Sequence, residues 1–99
     1  MNIRFIDGSI FEGMDDAGRN PHLPPGSAKW SRESQDGPIT NLIFICPCGC
    51  QMVRSVPVAG KQKWNWDGNE QAPTLTPSIQ IIGECGWHGW LTAGNFKTC

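Results

Sequence analysis

ITNLIFICPCGCQMVRSVPV, residues 39–58, is the stretch that decides the fold of this chain. Residues 39–46 are apolar and β-branched, and the run is too short for an ordinary helix, so it reads as a buried strand. Residues 51–58 set Met52 and the later valines against polar positions, as a strand does when one face lies in a core. Between them stand Cys46, Cys48 and Cys50, separated by Pro47 and Gly49. The whole reads as a hairpin with thiols at its tip, which is the outline of a zinc knuckle.

Towards the C-terminus, Trp64 and Trp66 flank Asn65 and share one face if the stretch is extended. A turn at residues 67–69 follows. Residues 74–82 (TLTPSIQII) read as a strand, in which Pro77 cannot donate to a ladder and so marks an edge or irregularity beside Ser78. A turn at 83–86, a strand at 87–91, a turn at 93–95 and a last strand at 96–99 complete the pattern. Towards the N-terminus, residues 3–6 and 9–11 suit a short hairpin about Asp7-Gly8. Residues 14–38 are polar and punctuated by Pro21, Pro24, Pro25, Gly26 and Pro38, and read as a long irregular surface loop.

With 99 residues, the chain makes one domain, residues 1–99, with a thin core, because a chain of this size buries only about 60–70% of its unfolded surface. Its 12 glycines and 8 prolines interrupt helices through backbone entropy or a missing donor and argue against a helical bundle. The expected fold is mainly β: a small antiparallel β domain with a zinc-ribbon-like knuckle.

The formal net charge is −1 and the eight lysines and arginines are scattered. No basic stripe of the kind that neutralises phosphates is present, which argues against nucleic-acid binding. Lys61, Lys63, Trp64 and Trp66 form the one basic-aromatic cluster. The first residues have no sustained apolar stretch, and nothing later is long enough to cross a bilayer. The expected setting is therefore cytoplasmic, with no membrane partner. Thiols stay reduced there, so five cysteines in so short a chain point to a metal before disulfides.

Zinc takes four ligands in a tetrahedron, commonly as two close pairs brought together by the fold. Cys46 and Cys48 make the first pair, with Cys50 as the substitute. The second pair comes from Cys85, His88 and Cys99, because His22 falls in the expected loop. Two quartets compete. One adds Cys85 and His88 at the common two-residue spacing; the other adds Cys85 and Cys99 and releases His88.

CPCGC, a Trp-rich stretch, PTLTPSI, CGWHGWL and a final turn ending in Cys together resemble the domain-of-unknown-function family numbered 6527, which includes phage and bacterial operon proteins. The resemblance covers residues 43–99. It implies a compact zinc-containing β domain and, for members in ubiquitin-like conjugation operons, a serine peptidase that processes the ubiquitin-like protein. Carried onto this sequence, the serine of Pro-Ser-Ile is Ser78 and the histidine of Cys-x-x-His is His88. The metal then falls to Cys46, Cys48, Cys85 and Cys99.

A three-residue turn of Ile82, Gly83 and Glu84 would set Ile81 opposite Cys85 and Ser78 opposite His88, close enough for a hydroxyl to meet an imidazole. Asp67 or Glu84 would orient the ring. Against this, closure of the last hairpin at Ala93-Gly94 sets Cys99 opposite His88 and leaves Cys85 roughly 10 Å further along. That register favours His88 as a ligand unless the chain bends near Gly86 or Gly89. Trp64, Trp66, Trp87 and Trp90 are read as core before cleft wall, because each indole supplies a large buried area.

Two readings follow. One is a zinc-stabilised serine hydrolase acting on a protein or peptide substrate, such as a ubiquitin-like tail, with Ser78 as nucleophile and His88 as base. The other is a non-catalytic zinc-ribbon-like adaptor that binds a protein partner.

Overall fold

Strand Ile39–Ile45 is apolar at every position from Leu42 onward because both of its faces are covered. Leu42 and Phe44 face one cluster of buried side chains, Ile43 and Ile45 another. A strand buried on both sides reads as a continuous apolar run.

The computed structural model describes residues 1–82 and 85–99. Eight strands follow in order: β1 (Arg4–Phe5), β2 (Ser27–Arg32), β3 (Ile39–Ile45), β4 (Val53–Pro57), β5 (Asn65–Trp66), β6 (Leu75–Gln80), β7 (His88–Thr92) and β8 (Asn95–Thr98). They form two four-stranded sheets, β1-β2-β3-β4 and β5-β6-β7-β8. All pairings are antiparallel except β1 with β2. No helix occurs among the described residues, so none is long and apolar enough to cross a membrane. The expected small antiparallel β fold is what the chain adopts.

The sheets share one core, built from Ala28, Leu42, Phe44 and Val56 of the first and Leu75, Ile79, Leu91 and Phe96 of the second. Phe44 meets Phe96 across it with ring centroids 5.2 Å apart. Trp30 of β2 packs on Trp66 of β5 at 4.5 Å, joining the sheets at a second place. Of the four tryptophans read as core, only Trp87 is buried; Trp64 and Trp66 are half-buried and Trp90 is exposed.

Two N-terminal expectations are corrected. Residues 3–11 form no hairpin: β1 runs parallel to β2, pairing Arg4 with Ser27 and Phe5 with Ala28. Residues 14–38 are not all loop, because β2 lies within them and pairs along β3 from Ala28↔Phe44 to Arg32↔Ile39. The prolines and glycines bracket that strand without entering it. The irregular residues before β2 pack down over the outer face of β3, where Ile10 joins Ile43 and Ile45. Asn20 is fully buried there, and its Nδ2 donates to the carbonyls of Ile10 (2.9 Å) and Glu12 (3.0 Å).

Candidate metal centre and serine–histidine pair

The β3–β4 hairpin pairs Ile45 with Val53, which leaves residues 46–52 as its tip. The tip folds back on itself: the Cys46 amide donates to the Met52 carbonyl at 2.9 Å, and the Cys50 amide to Cys48 Sγ at 3.3 Å. Gly49 has φ of 94° and Gln51 of 66°. The first suits glycine, which lacks a Cβ. Gln51 is held in this left-handed conformation by its side-chain amide, which donates to the carbonyls of Asn20 and Leu23 at 2.9 and 2.6 Å.

This tip gathers sulfurs. Cys46, Cys48, Cys50 and Cys85 bring their Sγ atoms within 4.8 Å of one another. Cys46 Sγ lies 3.4 Å from Cys48 Sγ and 3.6 Å from Cys85 Sγ. A tetrahedron with metal–sulfur bonds of about 2.3 Å has sulfur–sulfur edges of about 3.8 Å. The donor set thus fits a four-coordinate thiophilic ion with small adjustments. All five cysteines are free thiols, so none is spent in a disulfide.

Cys50, held in reserve by the sequence, supplies the fourth sulfur, and Cys99 is outside the group. The reason is register. Gly89 pairs with Thr98, and the Cys99 amide donates to the His88 carbonyl at 3.0 Å. Cys99 is therefore tied beside His88, three residues along the chain from Cys85, and is exposed. His88 is not in the sulfur group either.

The thiols differ in acidity. Burial would raise Cys85, but the Trp87 amide, the Arg54 guanidinium and neighbouring thiols outweigh it, and its pKa falls to about 6. Arg54 Nη2 donates to Cys85 Sγ at 3.2 Å. Burial pushes Cys46 and Cys48 up from the ordinary thiol value. Cys85 is thus a stronger acid than Cys46 or Cys48. The Nε of Arg54 is buried with no hydrogen-bond partner among the described residues.

On the other sheet, Ser78 Oγ and His88 Nε2 are 2.8 Å apart. They are not directly opposed, as the short turn would have required. Gln80 faces His88 and Ile79 faces Gly89, a register two residues further along β6. A shift of two keeps the same face outward, so the pair still meets, on the diagonal. Ladder pairing passes from Leu75↔Leu91 to Ile79↔Gly89, so Thr76, Pro77 and Ser78 all lie opposite Trp90. Such a bulge re-aims side chains, here at the proline that cannot donate to the ladder. The Ser78 carbonyl accepts from the Trp64 indole N–H at 3.3 Å.

Of the two carboxylates expected to orient the ring, Asp67 is engaged elsewhere, since its Oδ1 accepts from the Asn69 and Thr74 amides at 3.0 and 3.2 Å. Glu84 and Gly83 lie outside the described residues.

Residues 15–99 match the BubE family, described as bacterial ubiquitination-like system serine protease. The chain belongs to the BubE family. No curated protein and no solved structure matches it. The BubE match spans the sulfur group, Ser78 and His88, and also the residues before β3 that the resemblance to family 6527 did not reach. It is to BubE and not specifically to family 6527. The family's description concerns a protease, hence a protein substrate.

Sequence reasoning missed Arg54 altogether. Its signal was a cation on β4, two residues after Met52 and close to the thiol-bearing tip. For Cys50 the signal was the CPCGC run itself, in which every thiol lies on one tight turn.

Proposed function

We propose that the chain is a serine peptidase whose nucleophile is Ser78 and whose general base is His88, acting on the tail of a ubiquitin-like or other protein. One observation carries this reading: a hydroxyl and an imidazole nitrogen at 2.8 Å on the outward face of β6 and β7. Membership in a family described as serine proteases supports it. So does the composition of the sulfur group, which leaves His88 out.

In this reading His88 Nε2 takes the proton from Ser78 Oγ as the oxygen attacks the scissile carbonyl. It then delivers that proton to the leaving amine, and an acyl-serine remains. Water, deprotonated by the same ring, releases the acyl group and restores the serine. Backbone N–H groups freed at the bulge beside Pro77 serve the developing oxyanion.

The metal in this reading is zinc, held by Cys46, Cys48, Cys50 and Cys85, and its role is structural. Four protein ligands fill a tetrahedral ion and leave no open position for substrate or water. The site joins the β3–β4 tip to the segment that leads into β7.

The test is reaction with a fluorophosphonate probe. Wild-type protein becomes labelled and Ser78→Ala does not, while His88→Ala slows labelling by roughly 10²–10⁴-fold, the usual weight of a general base. An unlabelled wild-type protein with full metal content refutes the reading and leaves the adaptor role.

A further inference from the structure

An open groove of about 380 Å³, lined by Pro57, Gln62, Lys63, Trp64 and Pro77, adjoins Ser78. Two links fix its position. Pro77 precedes the serine in β6, and the Trp64 indole N–H donates to the Ser78 carbonyl. The groove also lies where two sheets end, since β4 is the last strand of one and β5 of the other. The Trp64 amide donates to the Pro57 carbonyl at 2.9 Å, which ties together two of its lining residues.

The walls of this groove are apolar rings, from two prolines and an indole. Its polar groups are an amide and a cation. Among the described residues no acidic side chain lines it, and Lys61 and Lys63 are both exposed with no ion pair or hydrogen bond. Extended peptides dock along sheet edges and against proline and aromatic rings, with specificity from the side-chain contacts. A groove of one charge sign selects the opposite sign in its occupant.

The geometry points to this groove as a substrate subsite for an extended peptide segment that carries an acidic side chain within a few residues of the scissile bond, read by Lys63. This rests on Ser78 being the nucleophile only for the word substrate; the groove binds such a segment whether or not the serine reacts. An exposed ion pair contributes up to about 1 kcal/mol, or roughly fivefold. The selection is therefore a preference, and it weakens with salt.

The experiment uses Ser78→Ala protein and two fluorescein-labelled extended decapeptides, alike except that one has glutamates where the other has glutamines. Fluorescence anisotropy is expected to show the glutamate peptide binding about fivefold more tightly at low salt. The difference shrinks at high salt and disappears in a Lys63→Glu, Ser78→Ala double variant. Equal binding of the two peptides, a salt-independent difference, or no binding of either overturns the inference. Fluorophosphonate labelling of the wild type, read separately, reports on the serine: labelling without the glutamate preference removes this subsite alone, and the preference without labelling removes the peptidase reading alone.

Discussion

Arg54 donates a hydrogen bond to the sulfur of Cys85 across 3.2 Å, from β4 of one sheet to the segment entering β7 of the other. Four thiolates around a divalent ion leave an excess of two negative charges, and the guanidinium offsets part of it. Outer contacts of this kind commonly contribute about 10–100-fold to metal affinity. Arg54→Met is therefore expected to weaken metal binding by that factor, measured by competition with a chromophoric chelator. Unchanged affinity would show the contact to be incidental.

Cys50 and Cys99 make a discriminating pair. Cys50→Ser removes one of the four grouped sulfurs and is expected to lose stoichiometric metal and much of the thermal stability that goes with it. Cys99→Ser touches an exposed side chain outside the group and should stay within about 0.5 kcal/mol of the parent, as surface changes do. Elemental analysis of the two purified variants decides the assignment, and the opposite result would restore Cys99 as the ligand.

The acidity of Cys85 sets a pH dependence for the metal-free protein. Its pKa in the folded chain, about 6, lies below the ordinary thiol value of 9.0. A depressed acid contributes stability that is complete above the unfolded value and is lost as pH falls through the folded one. Urea unfolding of metal-free protein should show this contribution declining between pH 9 and about 6. In Cys85→Ala that part of the slope should be missing.

Gly89 has no room for a larger residue. A Cβ there would overlap the Lys97 carbonyl and the Trp87 ring, which lies 2.5 Å and 2.8 Å away at its nearest atoms. The carbonyl belongs to backbone in the β7–β8 ladder and cannot swing aside. Gly89→Ala is expected to destabilise by about 1–3 kcal/mol, the usual result of overpacking. Chemical denaturation measures it, and a loss below 0.5 kcal/mol on that scale would mean that the ring relaxes freely.

Much of the second sheet was legible because its strands carry their own punctuation. Residues 74–82 and 87–91 contain β6 and most of β7, and Ala93-Gly94-Asn95 marks the last turn. β2 was not legible. Its sequence SAKWSR has little apolar content, and what makes it a strand is pairing with β3 on one side and with β1 on the other. Parallel pairing of β1 with β2 leaves no local trace, since the partners are more than twenty residues apart. The two-residue error at Ser78 and His88 has a similar origin. A bulge opposite Trp90 takes up two residues of β6, and nothing in the local pattern except Pro77 announces it. Cys50 was kept only as a substitute because two close pairs were expected from separate segments, whereas the group takes three sulfurs from one turn and one from Cys85.

Cys85 stands in the connection between β6 and β7, the two strands that present Ser78 and His88. On the proposed reading the ion's clasp and the reacting pair would therefore belong to a single loop of chain. A chelating agent would be expected to silence such a protein without ever resembling its substrate, and the supply of the ion would act as its throttle.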